Sequence, residues 1–149
     1  MDLGPHSFEM DSWISCAPFE SMLKMEIVKA EKGKAVLTMP FFVNLAQGAA
    51  LMHGGALVSL ADTAVVMAIK SILQPGSHFA TIKLESEFLY PVKQGVVTAY
   101  AEVARGEEER IFNGKAEIYN ENNRMVMTFS SIFKLAKSAK ISNVRFNAS

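Results

Sequence analysis

Two short stretches of this chain carry residue types in an order that suits chemistry: Met52-His53-Gly54-Gly55-Ala56-Leu57 and Leu60-Ala61-Asp62-Thr63-Ala64. Adjacent glycines at a helix entrance let the backbone turn sharply and let another molecule approach with no Cβ in its way. The first helical N–H groups lack internal partners and sit at the positive end of the helix dipole. They suit an oxyanion, such as the polarised carbonyl oxygen of a thioester under attack. Taken alone, Gly54-Gly55 reads more readily as a tight connection, and His53 more readily as a capping or core histidine. Asp62 is harder to explain as mere structure. A carboxylate two turns into an apolar helix forgoes helix propensity and is costly to desolvate unless something pairs with it. Either it is hydrogen-bonded, to a hydroxyl or to Lys70 of a neighbouring copy, or it serves as nucleophile or general base. Composition weighs these two readings evenly. His6 and His78 are remote from His53, so no histidine spacing suggests a metal, and no metal or cofactor is expected.

Both stretches need a frame. Leu57, Leu60, Ala61, Ala64, Val65, Ala68 and Ile72 recur at helical spacing over about five turns. Val58, Val66, Met67 and Ile69 fill most of the remaining circumference, which predicts a buried helix. Ser59, Thr63 and Lys70 cluster on one side with Asp62 at their edge, and Gln74-Pro75-Gly76 ends the run. Before the helix, Leu23–Ala30 and Lys34–Pro40 read as a hairpin around Glu31-Lys32-Gly33, and residues 41–52 as a loop. After it, residues 79–90 alternate, with Ile82, Leu84, Phe88 and Tyr90 on one face and Thr81, Lys83, Glu85 and Glu87 on the other. Strands over 96–103, 110–119 and 124–135 follow. Two strands, one helix and four strands, with no βαβ repeat, predict an α+β fold. One apolar helix is hidden only if a curved antiparallel sheet of about six strands wraps it. Residues 1–20 read as an arm or short helix, 21–136 as the domain, and 137–149, with Lys137, Lys140 and Arg145, as a solvated tail.

The bulk numbers exclude other classes. Fifteen basic residues balance fifteen acidic ones, so a nucleic-acid partner, which needs a basic excess, is not expected. The most apolar stretch, 51–73, is broken by His53, Asp62 and Lys70, whereas a membrane span needs about 20 nearly uncharged residues. Cys16 is the single cysteine, so no internal disulfide is available, and the N-terminus lacks a basic segment followed by an apolar run. A reducing compartment, the cytoplasm, is expected.

Distance sets a further condition. Gly55 and Asp62 are seven residues apart, or roughly 10 Å along a helix. One carbonyl cannot touch both. In a symmetric pair with the helices antiparallel, the entrance of one copy faces Asp62 of the other, and a two-fold interface supplies that reciprocity.

Together, His53-Gly54-Gly55, Leu60-Ala61-Asp62-Thr63-Ala64 in one long helix and the strand meander after it resemble the hotdog-fold acyl-CoA thioesterases of the PaaI type, within the 4-hydroxybenzoyl-CoA thioesterase superfamily. The resemblance covers roughly residues 18–136, including Pro18-Phe19, Tyr90-Pro91 and Phe133-Lys134. It implies a hotdog fold, an acyl-CoA substrate, and a homodimer or dimer of dimers. It also implies that Gly54 N–H polarises the thioester carbonyl, with Gly55 beside it, and that His53 orients the loop or assists at the carbonyl and leaving group. Asp62 of the partner subunit attacks directly or activates a water, and Thr81 supplies a hydroxyl that positions water or carboxylate. The family commonly places an Asn six residues before the histidine. Here that position is Gln47, and Asn44 lies nine residues before, so either is a candidate amide donor. Lys83, Lys93, Arg105 and Arg110 are candidate cations for the CoA phosphates. The rival readings are a hydroxyacyl thioester dehydratase, whose histidine loop and carboxylate spacing are not found, and a non-catalytic acyl-CoA-binding module.

Overall fold

The computed structural model describes residues 1–137 and 143–147. Along the chain run β1 (Phe8–Met10), α1 (Pro18–Met22), β2 (Glu26–Glu31), β3 (Lys34–Pro40), a 3-10 turn (Val43–Leu45) and α2 (Gly54–Lys70). Then follow β4 (Phe79–Phe88), β5 (Val96–Arg105), β6 (Ile111–Tyr119), β7 (Met125–Leu135) and β8 (Val144–Phe146). Six strands form one antiparallel sheet in the order β2-β3-β5-β6-β7-β4, and α2 packs on the face of its centre, against β3, β5 and β6. This is the expected α+β hotdog architecture.

Alternation explains the packing. In β3, Ala35, Leu37 and Met39 are buried, and in β7 Met127, Phe129, Ser131 and Phe133 are, so each strand gives every second residue to the helix. From α2 come Leu57, Leu60, Ala61, Ala64, Val65, Ala68 and Ile69. A fully buried Leu, Ile or Phe among these contributes roughly 1.5–3 kcal/mol. Gly114 in β6 sets the approach of the two layers, because a Cβ there would overlap Val65 Cγ1 and stand 2.7 Å from Ser131 Oγ.

The elements differ from the sequence expectation in four places. The helix begins at Gly54 rather than Leu57 and ends at Lys70, since glycines give no apolar signal but His53 caps the first turn. Thr63 is buried, and the stripe of α2 that is not fully buried runs Gly55, Ser59, Asp62, Val66 and Lys70. In β4 a bulge between Thr81 and Lys83 breaks the alternation. Thr81, Leu84, Ser86 and Phe88 pair with Phe133, Ser131, Phe129 and Met127, so Thr81 lies on the helix-facing side rather than with Lys83, Glu85 and Glu87. Finally, the tail is not merely solvated: β8 pairs in parallel with β1, and Arg145 stands 3.5 Å from Glu9. Lys140 lies outside the described residues.

The arm itself is fastened to the far end of α2. The buried Trp13 donates its indole Nε1–H to Lys70 O at 3.0 Å, and Lys70 Nζ donates to Trp13 O at 3.0 Å.

Candidate active site

At the entrance of α2, His53 has the extended backbone of an N-cap (φ −59°, ψ 131°). Its Nδ1 accepts from Gly55 N–H at 2.8 Å, while its carbonyl accepts from Ala56 and Leu57 N–H. The Gly54 N–H alone in this turn has no acceptor among the described residues. Because Nδ1 accepts, the neutral ring carries its proton on Nε2, which is thereby a donor. Side chains approach both glycines closely. A Cβ on Gly55 would stand 2.9 Å from His53 Nδ1, and one on Gly54 would stand 3.2 Å from Phe88 Cζ. The loop leading in is pinned by His53 N–H to Leu45 O at 2.7 Å and by a bridge between Ala46 and Met52.

Two turns further along α2, Asp62 Oδ1 accepts from Thr81 Oγ1 at 2.9 Å. The β4 bulge makes this contact possible by turning Thr81 toward the helix. Burial raises the Asp62 pKa from its ordinary value, and the Thr81 hydrogen bond opposes that rise. Of the two structural alternatives for this carboxylate, the hydroxyl is found within the chain, where its own Lys70 donates to Trp13 O. A carboxylate so held is poised to take a proton. Among the described residues no group of three His, Cys, Asp or Glu side chains is placed to hold a metal ion.

The thioesterase superfamily matches residues 50–127, a segment holding both the entrance and Asp62. The chain belongs to that superfamily. Acyl-coenzyme A thioesterase PaaI of Escherichia coli K12 is 32% identical over 109 residues, covering 72% of this chain and 74% of PaaI. The 1,4-dihydroxy-2-naphthoyl-CoA hydrolase of Listeria monocytogenes is 30% identical over 83 residues, 56% of this chain and 68% of that enzyme. The solved E. coli PaaI structure superposes with a TM-score of 0.74 at 27% identity, covering 83% of this chain and 87% of that one. The conserved protein PA5202 of Pseudomonas aeruginosa shares the fold, with a TM-score of 0.77 at 22% identity, over 83% and 97% of the two chains. This hotdog thioesterase is thus a thioester hydrolase.

The remaining expected residues of the thioesterase are dispersed. Gln47 Oε1 turns back to accept from Ala49 N–H, and Asn44 is exposed on the 3-10 turn. Lys83 points to Glu85 at 3.8 Å. Arg105 lies over the Phe112 ring at 5.1 Å, and Arg110 donates to Leu135 O at 3.2 Å. Leu135 pairs with Phe79 at the start of β4, whereas Gly54 sits under Phe88 at its other end, so within one chain these arginines are far from the entrance. Two cations that sequence reasoning passed over stand nearer the His53 loop. Arg124 stacks 3.6 Å over Tyr90, in the segment leading to Val92, whose carbonyl accepts from Met52 N–H. Lys24 lies 4.3 Å over Phe42, just before the 3-10 turn. No sequence pattern marks either. Phe88 over Gly54 was visible only as one apolar position in an alternating strand. No helix among the described residues is long and apolar enough to cross a membrane.

Proposed function

We propose that the protein hydrolyses acyl-CoA thioesters at a site shared between two copies of the chain. Residues 21–136 form the catalytic domain, 1–20 an arm and 137–149 a tail, and the enzyme works in the cytoplasm as a homodimer or a dimer of dimers. Gly54 N–H, at the positive end of α2, receives the thioester carbonyl oxygen and stabilises the charge that grows on it. Asp62 of the partner subunit attacks the carbonyl carbon or takes a proton from an attacking water, with Thr81 holding the carboxylate. His53 keeps the entrance in register through Nδ1 and offers Nε2–H toward the carbonyl or the leaving sulfur. Gly55, Gln47 and Asn44 line the approach, and Lys83, Lys93, Arg105, Arg110 and Arg124 are the cations from which the CoA phosphates draw their partners.

One observation carries the shared site. The edge strand β4 leaves its helix-facing side uncovered: Leu84 and Phe88 are 42% and 54% exposed, and the bulged Ile82 57%. An open strand edge with an apolar face invites pairing with a second copy. Such a pairing covers the face and brings α2 of each copy alongside the other.

The test is complementation. Wild-type protein should release free thiol from acyl-CoA, and Asp62→Ala and Gly55→Ala should each be inactive. Mixed and allowed to exchange, the two inactive chains should form hybrids with one intact site of two, restoring about a quarter of wild-type activity at random exchange. Verified hybrids with no recovered activity would rule out the shared site.

A further inference from the structure

A cavity of about 390 Å³ opens on the far side of Thr81 from the entrance. It runs between the later turns of α2 and the paired terminal strands, and its walls include Trp13, Val66, Phe79, Phe133 and Phe146. Trp13 meets Phe146 edge-on at 5.4 Å, and Phe79 tilts against Phe133 at 6.0 Å, so two aromatic pairs form part of the lining. Thr81 belongs both to this wall and to the hydrogen bond with Asp62, so the cavity lies one side chain away from that carboxylate.

Besides Thr81, the cavity wall carries Ser77, His78 and one cation that an apolar acyl pocket does not need. Lys70 lines it, half-buried, two turns beyond Asp62 and on the same stripe of α2, about 12 Å along the axis. Its Nζ donates one hydrogen bond, to Trp13 O, and lies 4.6 Å from the Trp13 ring centroid and 5.9 Å from that of Phe146. Among the described residues no carboxylate is within ion-pair distance of it, and Glu20 acts on it only from further away. An ammonium has three donors, and a desolvated cation gains most from an anionic acceptor. Burial lowers the Lys70 pKa, which a bound anion would reverse.

We propose that this cavity receives the acyl end of the substrate, and that Lys70 selects medium-length acyl groups ending in a carboxylate. The inference rests on the thioester-hydrolase reading and names the substrate class for it. The thioester lies at Asp62, the chain follows Val66 between the aromatic walls, and the terminal carboxylate accepts from Lys70 Nζ. A neutral chain of equal length fills the same walls without that charge-assisted bond.

The experiment compares kcat/KM for acyl-CoA pairs of matched length, adipyl against hexanoyl and suberyl against octanoyl. Wild-type enzyme should favour the carboxylated member of at least one pair by about tenfold or more. Lys70→Met should collapse that ratio toward one. If Lys70 only fastens Trp13, the variant slows both members together and leaves the ratio intact, which overturns the proposal. Equal rates within both pairs for the wild type overturn it too, while still supporting the hydrolase. Absence of hydrolysis with every thioester would overturn both.

Discussion

The entrance of α2 and the Asp62 position, two turns apart on one helix, treat charge in opposite ways. At the entrance the chain satisfies its own donors, Gly55, Ala56 and Leu57 N–H, and leaves Gly54 N–H, in the field of the helix dipole, without an acceptor among the described residues. Nothing there is strained by waiting for charge to arrive. At Asp62 the chain carries an ionisable group of its own in a place that disfavours its charged form, held by one hydroxyl. In the proposed mechanism the first region is arranged for the transition state, while the second pairs reactivity with a cost to the folded state.

Asp62→Asn separates the two regions most sharply. The amide oxygen still accepts from Thr81, but the side chain neither attacks nor takes a proton, so hydrolysis should fall by about 10²- to 10⁴-fold. Stability should move the other way. Because burial favours the neutral acid, the folded chain keeps its proton to higher pH than the unfolded chain. Stability therefore declines as pH rises from the ordinary carboxylate range through the folded-state pKa, and the penalty persists at neutral pH. Asp62→Asn removes that decline. Urea midpoints at neutral and mildly acidic pH, read beside thiol release, check both halves; an equally active variant, or one less stable at neutral pH, would erase the contrast.

The entrance is tested by two substitutions at one residue. His53→Ala loses the cap on Gly55 N–H and should cost about 0.5–2 kcal/mol of stability. His53→Asn places a side-chain oxygen near the position of Nδ1, keeps the cap and loses the Nε2 donor. It should unfold like the wild type and lose about tenfold in kcat/KM, the worth of one hydrogen bond. Full activity in His53→Asn would make the histidine a cap alone.

The same contrast explains what the sequence revealed. Asp62 stood out because a carboxylate among Leu60, Ala61, Ala64 and Val65 breaks an apolar period, and α2 with its sheet followed from spacings of 3.6 and 2. Alternation puts Thr81 on the outer face of β4, and the structure puts it on the helix-facing one, because a one-residue bulge shifts the alternation without altering composition. The β1–β8 pair and the Trp13–Lys70 contact were invisible. Strands of three residues carry no period, and residues 57 positions apart announce no contact. The free Gly54 N–H was legible as a glycine at a helix start, but its freedom depends on which groups His53 occupies.

Thr81 gives the finest adjustment between the two regions. Its hydroxyl lowers the Asp62 pKa against the rise caused by burial. Thr81→Val keeps the shape and removes the donor, so the carboxylate gains its proton at higher pH. If Asp62 must be ionised to act, the acid limb of the kcat/KM profile moves to higher pH, and the loss is greatest in acid and smaller at neutral pH. Thr81→Ser, which retains the hydroxyl, should leave the limb in place. A Thr81→Val profile reduced by one factor at every pH would mean that the threonine merely packs against the carboxylate or holds water, and that burial alone sets its proton affinity.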